Sequence, residues 1–173
     1  MKETLASKTL RYSVYGFITI AAVLVVLGLG FMTNFYPLFY DGTSDMYDFY
    51  KSVQALNKAM FNGSIVIIVL SVLMIGFDIN KKKHGPVGTI YTIIVAAYTM
   101  MTGLIIQRAV PYYKSIYTAF DFAEVKNYTP SYWIFNFTQV VFALAMFLSV
   151  LIAVLAIVRY VQSLKNKEVL ANE

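Results

Sequence analysis

The chain has one histidine and no cysteine, and those two counts exclude most catalytic chemistry. His84 stands in Lys81-Lys-Lys-His-Gly-Pro86, a basic turn, with no second imidazole in the chain to share a haem or a zinc ion. Without a thiol there is no disulfide, no thiolate nucleophile and no CxxC redox pair, and the chain alone cannot hold an iron–sulfur cluster. GxSxG, HExxH and Walker A patterns are absent as well, so serine-based and metal-based hydrolysis have no machinery here. The residues therefore predict no catalytic group, no metal and no cofactor. What remains is a polar set, Gln107 and Arg108 at the end of one apolar block and Asn136, Thr138 and Gln139 at the start of another. Brought together, these could line a shallow vestibule for a ligand or ion. The simpler expectation is headgroup contact for Arg108 and interhelical hydrogen bonds for Asn136 and Gln139.

The elements that would position these residues follow from composition. Of 173 residues, 59% are hydrophobic and only 13% charged, too apolar a mixture for an ordinary soluble domain. The apolar residues fall into blocks at 12–32, 61–77, 87–106 and 132–158. Each is near the roughly 20 residues that a helix needs to cross about 30 Å of hydrocarbon. Lys2, Lys8 and Arg11 before the first block, and Gly28-Leu-Gly30 within it, also fit a secretory signal. The run is longer than a signal core, however, and a retained helix is expected. The prediction is an all-α polytopic membrane protein, one four-helix transmembrane domain over 1–173.

Charge sets the orientation. Lys2, Lys8 and Arg11, the turn at Lys81, Lys82 and Lys83, and Arg159, Lys165 and Lys167 all share one side of the membrane. Opposite them, Lys51, Lys58, Arg108, Lys114 and Lys126 are balanced by Asp41, Asp45, Asp48, Asp121 and Glu124. The whole formal net charge of +5 thus lies on the first side. The positive-inside rule makes that side cytoplasmic, with both termini, in a multi-pass cell-membrane protein. Topology explains the basic character, so nucleic acid is not an expected partner.

The extracytoplasmic loops, 33–60 and 107–131, hold the least ordinary sequence. From 44 to 60, Met46, Phe49, Tyr50, Val53, Leu56 and Met60 recur at three- and four-residue steps, with Asp45, Asp48, Lys51, Gln54 and Lys58 opposite. That is an amphipathic helix. Ser44 would cap it and Asn62-Gly63 would end it before the second span. In the other loop Pro111 can open a helix whose face is Tyr113, Ile116, Tyr117 and Phe120, and Thr129-Pro130 would cap the fourth span. Two short amphipathic extracytoplasmic helices are therefore expected, their apolar faces turned to the membrane, the bundle or a docked partner. Tyr50-Lys-Ser-Val53 and Tyr113-Lys-Ser-Ile116 look alike, which raises a duplicated hairpin. The remaining aromatics at this level, among them Phe35, Tyr36, Phe39, Tyr40, Tyr112, Tyr128, Tyr132, Trp133 and Phe135, suit an interfacial belt.

Small residues at Ala145, Ser149, Ala153 and Ala156, with Gly28, Gly30, Thr99 and Gly103 on other spans, invite close helix packing. Asn62-Gly-Ser64 and Asn127-Tyr-Thr129 match the glycosylation pattern, a short motif that arises often by chance. The centres of the spans carry no ionisable residue, whereas ion-coupled carriers commonly place one there. The expected function is a non-catalytic membrane subunit or scaffold, contacting lipids, other integral membrane proteins or a second copy. A small transporter or channel, in a dimer, is the alternative, and an enzyme acting on a lipid or quinone comes third.

Overall fold

The computed structural model describes residues 5–76 and 86–171, with side chains through Lys165. The turn at Lys81–His84 and residues Lys2 and Lys167 lie outside these limits. Four long helices carry the chain: α1 (Leu5–Asn34), α3 (Ser44–Met74), α4 (Pro86–Thr118) and α5 (Trp133–Ala171), with a short α2 (Tyr36–Tyr40) between the first two. Each of the four is long and apolar enough to cross a membrane. At 30 to 39 residues and about 1.5 Å per residue, each exceeds the hydrocarbon core and projects beyond it.

The helices form a square. α1 packs on α3 and α5, and α4 packs on the same two, while the diagonal pairs barely meet. Neighbours run antiparallel: Tyr91 reaches the Leu70 carbonyl at 3.0 Å and Tyr113 reaches the Ser52 carbonyl at 3.1 Å, so α4 rises as α3 falls. The inward stripe of α1 is Leu10, Val14, Phe17, Ala21, Leu24, Gly28 and Phe31, with α3 continuing the same rhythm at Met46, Phe49, Val53, Leu56, Met60, Ile67 and Met74. Alternating steps of three and four are the seam of left-handed helix packing.

Within the membrane the inward stripe is partly small and hydroxylated. Ser64, Ser71, Thr92, Thr99 and Ser149 are buried. Each returns its hydroxyl to a carbonyl of its own preceding turn, at 2.6 to 2.9 Å. Because lipid tails are as apolar as leucine, close packing and satisfied polar groups hold such a bundle together where water would otherwise drive it. Glycines at the seams permit that approach: a Cβ on Gly103 would stand 2.6 Å from Met146 Cγ and Sδ.

Several local expectations are corrected. The segment 44–60 is not a separate helix, since α3 runs unbroken from Ser44 into the second span. Asn62-Gly63 does not end it, because Gly63 faces α4, where a Cβ would stand 2.8 Å from Thr102 Cγ2. The glycine allows a helix contact and is not a stop. Pro111 likewise opens no new helix but lies inside α4. Its missing N–H costs one backbone bond, while Val110 and Tyr117 on either side are fully buried and hold the helix on course. α5 begins at Trp133, later than Thr129-Pro130 implied. The two Tyr-Lys-Ser segments sit at the start of α3 and near the end of α4, so they are not equivalent positions of a repeat.

Candidate functional site

The end of the bundle holding residues 35–60 and 107–135 carries nearly all the unusual chemistry, and its centre is an aromatic cap. Phe35, fully buried where α1 breaks into α2, is the hub. Its ring lies 5.6 Å from Phe31, 5.5 Å from Phe49, 5.2 Å from Tyr117 and 5.4 Å from Phe135, between centroids. Phe49 in turn meets Tyr113, Tyr117 and Phe120. Most of these contacts are edge-to-face or tilted, the arrangements that ring quadrupoles favour. The chain reaches this geometry through a tight turn: Pro37 sits in the first turn of α2, Asp41 N–H donates to the Pro37 carbonyl at 2.9 Å, and Gly42 follows. A Cβ at Gly42 would lie 2.5 Å from the Leu38 carbonyl oxygen, so only glycine fits that approach.

The loop between α4 and α5 closes over the cap. Asp121 Oδ1 accepts from Ala123 N–H at 3.0 Å, and Asn127 takes the left-handed conformation that asparagine tolerates, at φ 56°. Tyr117 and Tyr128 share a hydrogen bond between their hydroxyls, and Ser131 N–H donates to the Tyr117 oxygen at 3.3 Å. Burial pushes the Tyr128 phenol well above its ordinary range, and the bond to Tyr117 adds to this. The pair is neutral at any physiological pH, a polar lock within an apolar cap.

This geometry relocates the residues expected to form a docking face. Met46, Phe49, Val53, Leu56 and Tyr117 are buried in the bundle itself, while Tyr50, Tyr113, Ile116 and Phe120 are half-buried against the same core. The cap covers the buried part of these faces, while Tyr50, Tyr113, Ile116 and Phe120 keep part of their surface exposed. The periodicity of 44–60 correctly marks a buried stripe, but periodicity cannot say what covers it. At this end of the bundle the aromatics left on the surface are Tyr36, Phe39, Tyr40, Tyr112, Tyr132, Trp133 and Phe137, at the level where an interfacial belt belongs.

The polar set assembles only in part. Gln107 Nε2 donates to the Gln139 carbonyl, and Lys114 Nζ donates to Asn136 Oδ1 at 2.8 Å, both across the α4–α5 seam. Arg108 is exposed. Thr138 is fully buried, its hydroxyl without a protein partner. Gln107 and Asn136 thus tie α4 to α5, while Arg108 and Thr138 take no part in those bonds.

One polar group was not singled out from sequence. Asn57 is 5% exposed, and its Oδ1 has no hydrogen-bond partner. Gln54 Nε2, one turn before it, is also buried and unpartnered. Both line a groove of about 340 Å³ between α1 and α3, with Leu29, Met32, Lys58 and Phe61. The signal was available: Asn57 stands four residues after Val53 and three before Met60, squarely on the buried stripe.

The fold and its four apolar spans define an integral membrane protein of the tetraspan, all-helical class. Comparison with protein-family models, with curated proteins and with solved structures finds no match.

Proposed function

We propose that this protein is a non-catalytic membrane subunit or scaffold that works through contact with other integral membrane proteins and lipid. Both termini would face the cytoplasm, as the lysine distribution predicts. The observation carrying this reading is the interior. The core is filled by side chains, and the buried serines named above bond to their own helices. At one end a cap of fully buried Phe31, Phe35, Phe135 and Tyr117 covers the bundle axis. A carrier needs a polar path along that axis, and the closure of the axis by these rings is what favours the scaffold reading.

Contact with partners would then run through the lipid-facing surface, where Ile94, Met101 and Ile105 of α4 and Phe147, Val150 and Val154 of α5 are exposed. The test is purification from native membranes in mild detergent without crosslinker. A stoichiometric membrane-protein partner is expected. A lone chain that supports solute or ion flux in liposomes, lost on Gln107→Leu, would overturn the reading in favour of a transporter.

Orientation has its own test, made simple by the absence of native cysteine. In intact cells Ser44→Cys should react with an impermeant thiol reagent, and Ser7→Cys and Ser163→Cys should not. The reverse pattern would invert the topology.

A further inference from the structure

The groove between α1 and α3 has no role in the scaffold reading, and its chemistry is specific. Its level in the membrane follows from cross-helix contacts. A Cβ on Gly28 would stand 3.3 Å from Phe61 Cβ, and one on Gly30 would stand 3.1 Å from Ile134 Cδ1. Leu29, Met32 and Phe61 therefore lie at the height of the first turn of α5, where Trp133 and Phe137 are exposed. Exposed tryptophan marks the headgroup boundary. The groove straddles that boundary, with Leu29, Met32 and Phe61 as an apolar wall and Gln54, Asn57 and Lys58 as a polar one.

The polar wall is unsatisfied. Gln54 Nε2 is a buried donor and Asn57 Oδ1 a buried acceptor, neither with a protein partner. A buried polar group that nothing meets is costly to the fold. Lys58 is exposed beside them, and no acidic residue lines the groove to neutralise it. An occupant complementary to this lining supplies a negative charge for Lys58, a hydrogen-bond acceptor, a hydrogen-bond donor and an apolar continuation. The space, about 340 Å³, lies at the lower end of the roughly 300–1,000 Å³ typical of small-ligand sites. It suits one headgroup and the first carbons of its chains, and is too small for a helix.

We propose that this groove is a binding site for a single anionic glycerophospholipid with a hydroxylated headgroup, of the phosphatidylglycerol class. The phosphate pairs with the exposed Lys58, the headgroup hydroxyl meets the amides of Gln54 and Asn57 once those side chains turn toward the groove, and the acyl chains descend along Leu29 and Phe61. Basic pockets between membrane helices recognise phospholipid headgroups by this combination of charge and shape. A choline headgroup meets the charge requirement of Lys58 less well and offers Asn57 no donor.

Native mass spectrometry of the full chain in mild detergent, titrated with dioleoyl phosphatidylglycerol or dioleoyl phosphatidylcholine, tests this. The wild type should retain one phosphatidylglycerol per chain in preference to phosphatidylcholine. Lys58→Ala and Asn57→Leu should each weaken that retention at least about tenfold, the scale of a lost charge-assisted bond, while Lys126→Ala in the exposed loop leaves it unchanged. Thermal melts of each variant without added lipid separate loss of the site from loss of the fold, and Lys58→Ala, at an exposed position, keeps the test open if Asn57→Leu misfolds. Equal retention of the two lipids would overturn the proposal. So would retention insensitive to Lys58, or a dimer that Lys58→Ala disrupts, which would assign the groove to a second copy.

Discussion

Phe35→Ala should destabilise the detergent-solubilised protein by about 3–5 kcal/mol, the range for truncating a fully buried phenylalanine. The ring is fully buried and lies within 5.6 Å, centroid to centroid, of Phe31, Phe49, Tyr117 and Phe135. Its removal therefore leaves a cavity bordered by α1, α3, α4 and α5 at once. Such a void has no single neighbour able to collapse into it, which places the cost toward the upper part of that range. The effect should also be local in dynamics. Amides of 119–132, which close over the cap, should lose exchange protection before the centres of the spans do. Tyr40→Ala is the matched control, because that ring is 65% exposed and its loss should cost no more than about 0.5 kcal/mol. Thermal melts and amide exchange on the three proteins decide the matter. Equal effects at Phe35 and Tyr40 would mean that the aromatic end is a loose belt and the cap is not a structural unit.

The second large effect lies deeper in the bundle. Gly103→Leu should force α4 and α5 apart and destabilise by at least about 1–3 kcal/mol, the usual cost of overpacking. Even the Cβ would approach Met146 Cγ and Sδ at 2.6 Å, so the methionine must move before the rest of the leucine is placed. The displaced seam also carries the Gln107 bond to the Gln139 carbonyl and the Lys114 bond to Asn136, both of which would stretch. Gly16→Leu gives the contrast, since nothing lies within 4 Å of a Cβ there; helix propensity favours leucine over glycine, and the change should be neutral or stabilising. The Gly103→Leu defect should be partly relieved by adding Met146→Ala. A double-mutant cycle with no coupling between the two positions would refute the contact.

The amino-acid sequence by itself determined the class of this protein. Blocks of uninterrupted apolar residues leave a helix spanning the bilayer as the only way to satisfy every backbone group in hydrocarbon, so four spans could be counted without knowing how they pack. It also determined that the segment 44–60 is helical and one-sided, since Met46, Phe49, Val53, Leu56 and Met60 follow a helical period whatever lies opposite them. The destination of that face was decided only by the tertiary structure. An apolar stripe has the same sequence whether it meets lipid, a partner or its own bundle, and here rings reach it from two other parts of the chain, Phe35 after α1 and Tyr117 and Phe120 at the end of α4.

The same limit applies to the glycine at position 63 and the proline at 111. Both are breakers by local propensity, yet α3 and α4 run through them because the packing of Thr102 against Gly63, and of Val110 and Tyr117 in the core, outweighs a local cost of one to a few kcal/mol. Inside the spans, hydrophobicity is nearly uniform around each helix, so the inward face could not be read from it. The face is marked instead by small and hydroxylated residues such as Ser64, Ser71, Thr92 and Thr99, whose pattern becomes legible once the neighbouring helices are in place. Asn57 is the clearest case. Its place on the apolar stripe of α3 is legible in sequence, but only the approach of α1 turns it into a buried, unpartnered amide at the edge of a groove, because burial is a property of the assembled bundle and not of the residue.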